Sequence, residues 1–225
     1  MPMTGGAEHN DRLVTASEFF SRAHERLTFN VPAALTNPDA IAAANACSAD
    51  PAVLAAIAAV RPIRPAAVLV PVVQRNEPSV LFTERTARLA DHGGEISFPG
   101  GKIDARDANP AAAALREAEE EVGLAREFVE PVGYLDIHIT PFGHRILPVL
   151  ASVSPGFTLR LNRDEVEHAF EAPLAVLMAS ENHKCETLDW NGFSLDSYVM
   201  QFGHRKIWGA TAIILRNMYE RVYRR

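Results

Sequence analysis

The amino-acid sequence predicts an α+β fold: a sandwich built on a mixed β-sheet, preceded by an N-terminal helical extension. Three observations carry this. From about Pro65 onward, short β-rich runs are separated by Gly, Pro, Asn or His turns. Helical patterns are few and isolated, without the regular alternation that βαβ units produce. The chain has 225 residues, 48% hydrophobic and 22% charged, which is the size and composition of one large domain or of one domain with an extension. Residues 1–64 are accordingly read as the extension and 65–225 as the domain.

The elements follow in order. Thr15-Ala16-Ser17-Glu18 has the spacing of a helix capping box, and Phe19, Phe20, Ala23 and Leu27 follow at helical spacing. Residues 38–60 are Ala-rich, broken at Pro51, and read as one or two short helices. Strands are expected at Ala66–Val73, Ser79–Thr83, Pro131–Ile139, Arg145–Val153 and Phe157–Leu161. A strong helix is expected at Pro110–Val122 and a closing one at about Trp208–Tyr223. Glu165–Met178 fits strand followed by helix, or helix throughout.

Composition excludes several classes of function. A formal net charge of −6 argues against a general nucleic-acid binder or an anionic-membrane binder, both of which need a basic surface. The richest apolar stretch, Pro51–Val73, is interrupted by Arg61, Pro62, Arg64 and Pro65, so no transmembrane helix is expected. Met1–Asn10 lacks the basic and apolar regions of a secretory signal. Cys47 and Cys185 are too few for a disulfide framework and have no metal-ligand spacing, which suits a reducing compartment. These readings make the chain soluble and cytoplasmic.

The central helix concentrates the chemistry. Asn109 suits its N-cap, Pro110 its first position and Gly123 the left-handed residue beyond its end. At 100° per residue Leu115, Ala118 and Val122 form an apolar stripe, with Glu117, Glu120 and Glu121 nearly opposite. Like charges at i, i+3 and i+4 repel unless a cation joins them, and Mg²⁺ is a natural guest for such hard oxygens. A merely solvated acidic face, with Arg116 pairing to Glu120, explains the same pattern. Upstream, Phe98-Pro99-Gly100-Gly101-Lys102 offers paired glycines that let backbone approach a ligand. Arg85, Arg88, Lys102 and Arg106 lie near it in sequence and could offset substrate phosphate charge.

These residues resemble the signature of a known family. Gly101-x5-Asp107-x8 followed by Arg116-Glu117-Ala118-Glu119-Glu120-Glu121-Val122-Gly123-Leu124 is similar to the Nudix box, Gly-x5-Glu-x7-Arg-Glu-apolar-x-Glu-Glu-x-Gly-apolar. The second half matches throughout; the first has Asp107 for Glu and a spacer one residue longer. That departure resembles the coenzyme A diphosphatase branch. So does the stretch Leu81-Phe82-Thr83-Glu84-Arg85-Thr86, then Gly94, then Phe98-Pro99-Gly100-Gly101. It differs from the branch motif at Phe82, Thr86 and Ala90, the last standing where the motif has its second Arg. Asp164-Glu165-Val166, Glu171-Ala172-Pro173-Leu174 and 203–211 also look like this branch.

The resemblance implies a Nudix-like α/β/α sandwich and metal-dependent hydrolysis of a diphosphate. The implied reaction converts CoA or acyl-CoA to 3′,5′-ADP and (acyl-)4′-phosphopantetheine. Glu117, Glu120, Glu121 and the Gly101 carbonyl would hold Mg²⁺ or Mn²⁺. Glu117 and Glu120, with Glu165, are the catalytic candidates; Glu165 is the candidate base and Glu167 the runner-up. Arg116 would orient the glutamates, with Asp107 and Gly123 structural. Arg85, Arg88, Phe98, Gly100 and Lys102 are the substrate-side candidates, although Phe98 reads better as a core anchor. His144-Arg145 and 204–206 could line an anion pocket but read better as exposed turns, and Trp208 fits stacking or packing. Ser97 lacks the setting of a hydrolase nucleophile. The expected partner is a small nucleotide, CoA or a derivative, with no nucleic acid and no membrane; homodimerisation is left open. ADP-ribose, NADH or a dinucleoside polyphosphate are alternative substrates, and a non-catalytic nucleotide-binding protein is the alternative from another class.

Overall fold

In the computed structural model, residues 15–40, 55–57, 59–89, 92–190 and 193–224 are described. Helix α1, Ala16–Arg26, begins with the expected capping box: Thr15 Oγ1 accepts from the Glu18 amide, and the Glu18 side chain accepts from the Thr15 amide. Its Phe19, Phe20 and Ala23, with Leu27, are buried in the same core as the main sheet. Packing therefore crosses residue 64. Of the Ala-rich segment, 41–54 and 58 lie outside the described residues, and 55–57 are helical.

The main sheet is mixed. Strand β1 (Arg64–Val73) runs parallel to β7 (His144–Val153) along its whole length. On its other edge β1 pairs antiparallel with two partners in succession. Its start pairs with β4 (Gly100–Lys102), as Ala66↔Lys102 and Val68↔Gly100, and its end with β2 (Ser79–Arg85). The end of β2 pairs instead with β3 (Ile96–Ser97), so β3 and β4 are inserted where β1 and β2 diverge. Strand β8 (Val166–Pro173) lines the far edge of β2, with a register shift at Glu84/Arg85. Strands β5 (Val129–Tyr134) and β6 (His138–Ile139) pair antiparallel with β7.

Helix α2, Pro110–Val122, covers one face of this sheet, where Ala111, Ala113, Ala114 and Ala118 meet Ala67, Leu69, Leu147 and Val149. The other face is covered by α1 and by helix α4 (Gly209–Met218), which runs on into a π-helical end, Tyr219–Arg224. Between β8 and α4 come a short helix α3 (Leu174–Met178) and a three-stranded antiparallel sheet. Its strands are β9 (Lys184–Trp190), β10 (Phe193–Phe202) and β11 (Arg205–Trp208). Arg205 fastens this small sheet to the large one. Its guanidinium lies 4.2 Å over the Phe170 ring, with Nε 3.6 Å from a Glu84 oxygen.

Several expectations are corrected here. The 131–139 run is two strands separated by an irregular turn. Phe157–Leu161 forms no ladder. Its alternating Phe157, Leu159 and Leu161 still pack on the core, while Arg160 N–H donates to Val122 O (2.8 Å) and Asn162 N–H to Glu121 O (2.8 Å). Glu165–Met178 resolves as strand then helix. Arg145 is no exposed turn residue: it is 1% exposed, and its guanidinium donates to the carbonyls of Ala34, Asn37 and Pro38. Cys185 is disulfide-bonded, so a reducing environment cannot be inferred from it, and Cys47 lies outside the described residues. Among the described residues no helix is long and apolar enough to cross a membrane.

Candidate active site

Helix α2 has the caps its sequence implies. Asn109 Oδ1 accepts from the Ala112 amide at 2.9 Å, and Gly123, at φ +68°, closes the last turn. Its buried face, however, is centred on Ala114, Ala118 and Glu121 (i, i+4, i+7), and Leu115 is only half-buried. Glu121 is therefore no member of a solvated face. It is 3% exposed and turned toward the sheet edge, where Oε2 accepts from the Gly100 amide at 3.1 Å. Small alanines at the contact let the helix lie close enough for this reach.

Gly100 and Gly101 face opposite sides of β4. A Cβ on Gly101 would stand 2.7 Å from the Glu117 carboxyl carbon, so the missing side chain is the space this carboxylate occupies. A Cβ on Gly100 would meet the Val68 Cα and the Ala67 carbonyl at 2.5 Å, in a backbone with φ +156°. Glycine is required at position 100 by the neighbouring strand; at 101 it clears the place of the Glu117 carboxylate, which a larger residue would displace.

Arg116 ties the remaining acids together. It holds Asp107 through two bonds, Nε–Oδ1 and Nη2–Oδ2, both 3.0 Å, and donates to the Lys102 carbonyl at 3.1 Å. Its Nη1 reaches Glu117 at 2.8 Å and Glu120 at 2.9 Å. The paired hydrogen bond from Arg116 pulls the Asp107 carboxyl below its usual range, and its partners hold Arg116 charged. Asp107 thus reaches the arginine despite its shorter side chain. Within electrostatic reach of Glu117 and Glu121, Glu165 is half-buried. Its Oε1 accepts from Asn162 Nδ2 at 3.1 Å, and its carbonyl accepts from the Thr86 amide at 2.9 Å.

The acids repel and desolvate one another. Burial raises the Glu121 carboxyl to about 7, with Glu165 and Glu117 adding to the rise against the Gly100 amide and Arg85. Burial also raises Glu117, against the pull of Arg116, with Glu120 and Glu165 adding to the rise. The nearest cation to Glu121 is Arg85, with Nη1 at 3.9 Å. A buried carboxyl held partly neutral among other carboxylates, beside a backbone notch cleared of side chains, suits a hard cation. No three acidic, His or Cys side chains already converge as a closed cage among the described residues. Magnesium-type sites need none, because water and substrate oxygens complete them.

The other candidates separate. Arg85 enters the site at the irregularity in β2, a place where strands re-aim side chains. Arg88 is exposed in the following turn, and Ala90 lies outside the described residues. Phe98 is 3% exposed and stacked on Phe82 at 5.1 Å, so its ring belongs to the core and not to a substrate surface. Trp208 is 39% exposed beside the start of α4. Glu167 is half-buried, and its carbonyl accepts from Arg163. Gly100, Gly101 and Lys102 line a cavity of about 530 Å³, together with Arg64, which no motif singles out, and His144, which is half-buried at the start of β7 and not the exposed turn residue expected from the sequence. Strand alternation from Val68 back to Arg64 is the signal that could have found Arg64. Asn162, which holds Glu165, leaves no such trace in the sequence.

Comparison with known proteins identifies the family. A family model described as the NUDIX domain matches residues 63–191. An uncharacterized Nudix hydrolase, NudL, of Citrobacter koseri is 39% identical over 155 residues, covering 69% of this chain and 81% of that protein. The Salmonella paratyphi B protein of the same name matches equally. Among solved structures, a MutT NUDIX hydrolase from Burkholderia pseudomallei aligns with 70% of this chain and 98% of its own at TM-score 0.42 and 21% identity.

Proposed function

The chain belongs to the Nudix hydrolase family, enzymes that act on diphosphate bonds with divalent metal ions, and from that premise we propose that it cleaves coenzyme A or acyl-CoA. The products are 3′,5′-ADP and (acyl-)4′-phosphopantetheine. One observation carries the reading: Arg85, from the upstream motif that resembles the CoA branch, stands beside Glu121 of the acidic helix, so the two motifs form one site.

In this reading Glu117, Glu120, Glu121 and the Gly101 carbonyl hold Mg²⁺ or Mn²⁺. A cation bound there supplies charge neutralisation for the diphosphate and a Lewis acid for the attacking water. The protein supplies the rest. Arg116 holds Glu117 and Glu120 in position while Asp107 holds Arg116. Gly100 fixes Glu121 through its amide. Glu165, oriented by Asn162, is the group that accepts the proton of the attacking water. Arg85 and Lys102 offset the charge of the phosphates. No side chain acts as a covalent nucleophile; positioning and electrostatics do the work, as phosphoryl transfer requires.

Incubation with CoA and Mg²⁺ or Mn²⁺, with products identified by mass spectrometry, tests the substrate. The two named products are expected. Turnover of ADP-ribose, NADH or a dinucleoside polyphosphate, with none of CoA or acyl-CoA, would replace it with the second reading, which Ala90 in place of the motif arginine favours.

A further inference from the structure

The cavity beside the glycine strand changes chemistry along its length. Its floor is one face of the sheet. Register sets Val68 opposite Gly100, and Ala66 between Lys102 on one side and Ile146 on the other, so these residues share a surface. All of them line the cavity, whose volume of about 530 Å³ is that of a small-molecule site. The floor is apolar from Val68 to Ile146. Two residues further along β1 it ends in Arg64, with His144 as its register partner on β7.

The cations at this end differ from those nearby. Arg116 is committed to Asp107, Glu117 and Glu120, and Arg106 pairs with Asp104, while Arg85 stands at the acids, 3.9 Å from Glu121. Arg64 and Lys102 have no carboxylate within ion-pair distance among the described residues. His144, beside Arg64 on the β7 side, has its imidazole pKa lowered by burial and further by Arg64 and His92, so a charge on it is disfavoured. Along β1, Arg64 lies about 13 Å from the level of Val68, and along β4, Lys102 lies about 7 Å from Gly100, at roughly 3.3 Å per residue. A ribose together with a Lys or Arg stem spans such distances.

We propose that Arg64 and Lys102 recognise a second phosphate, a monoester carried on the ribose of the substrate's nucleoside half. Ala66, Val68 and Ile146 receive the apolar surface of that half. The proposal rests on the preceding reading of the function, in which the diphosphate is held at the acids beside Gly100 and Gly101, two residues that also line this cavity. Two donors of this kind, one of them a guanidinium able to bind two phosphate oxygens, make the site a specificity determinant, and the phosphate contact of Lys102 is then to this monoester and not to the diphosphate. The phosphate in question distinguishes CoA from dephospho-CoA, and NADPH from NADH.

Calorimetric titration of the full chain in Mg²⁺ at fixed salt tests this with non-hydrolysable probes: adenosine 3′,5′-bisphosphate, adenosine 2′,5′-bisphosphate and AMP. At least one bisphosphate is expected to bind about tenfold tighter than AMP. Arg64→Ala and Lys102→Ala should each reduce that ratio to about threefold, and the double variant should bring it near one; Arg64→Lys should restore part of it. Equal affinity for all three probes, binding of none, or a ratio unmoved by both substitutions overturns the assignment. A parallel comparison of kcat/KM for CoA against dephospho-CoA and NADPH against NADH separates the two levels. If CoA is not turned over but the Arg64-dependent ratio persists, the CoA reading falls and this one stands. If CoA is hydrolysed no better than dephospho-CoA, the converse holds.

Discussion

The two faces of the main sheet are packed by different means. Under α2 the contact is made by alanines, at 111, 113, 114 and 118, against Ala67, Leu69, Leu147 and Val149. Under α1 and α4 it is made by Phe19, Phe20, Phe82, Phe98, Leu174, Met200, Met218 and Tyr219. Burial of large apolar side chains stabilises in proportion to area, so the second face contributes more stability per residue. The first gives up that volume so that a helix can bring Glu121 against the Gly100 amide and Glu117 against Gly101. One face holds the molecule together; the other sets the reach of its acids.

The largest effect that should break this division falls on the apolar face. Phe19 is fully buried in α1, edge-on to Phe20 at 5.3 Å. Phe19→Ala should cost about 4 kcal/mol of unfolding free energy, read by denaturant titration, while kcat per folded molecule holds. A fall in kcat with unchanged stability would mean that the two faces are not separable.

Next, Glu120→Gln should lower kcat by on the order of 10²–10³, as loss of a preorganised electrostatic group does. The melting temperature should hold, because Glu120 is half-exposed and its removal relieves repulsion. Near-wild-type turnover would remove α2 from the chemistry.

A third test uses pH in chelator-treated protein. Folded Glu121 titrates near 7 against an ordinary 4.5, so between those values the folded state holds a proton the unfolded chain has lost, and stability falls as pH rises. Folded His138, buried in β6, titrates near 4 against an ordinary 6.5. There the unfolded chain holds the extra proton, and stability rises with pH. The slopes oppose each other from 4.5 to 6.5 and leave the wild type nearly flat. Glu121→Gln should uncover a gain of about 3 kcal/mol between pH 4 and 6.5, and His138→Leu the opposite trend up to pH 7. Stability curves of the Gln variant that superimpose on wild type would contradict the burial of Glu121.

The smallest change is Gly101→Ala. The new Cβ would displace the far end of a flexible Glu117 side chain. Stability should hardly move, while kcat should drop about tenfold from misplacement of that carboxylate. Loss of stability with kcat intact would show that the notch serves packing alone.

What the sequence made legible is local. Thr15 with Glu18, and Asn109, Pro110 and Gly123, announce helix ends because each satisfies its own backbone neighbours. Arg116 and the three glutamates are visible because they share one helix. Alternation along 157–161 reports a buried face and not a ladder partner, and its amide groups serve the end of α2 instead. The β9–β11 sheet has no motif, and its attachment through Arg205 to Phe170 and Glu84 joins residues far apart in the chain. The far end of the cavity combines the cations Arg64 and Lys102 with His144, from three strands that only register brings together.

The strap across the end of α2 has a bearing on which lengths of chain this fold can vary. Glu121 gives its carboxyl to Gly100 and its carbonyl to Asn162, whose side chain in turn holds Glu165. One residue of the helix thus sets the spacing between the glycine strand and the candidate base. Residues inserted near Pro155-Gly156, before the strap is fastened, leave that spacing alone. Residues inserted between Asn162 and Glu165 uncouple the base from the helix, so this four-residue interval is where the fold has no slack.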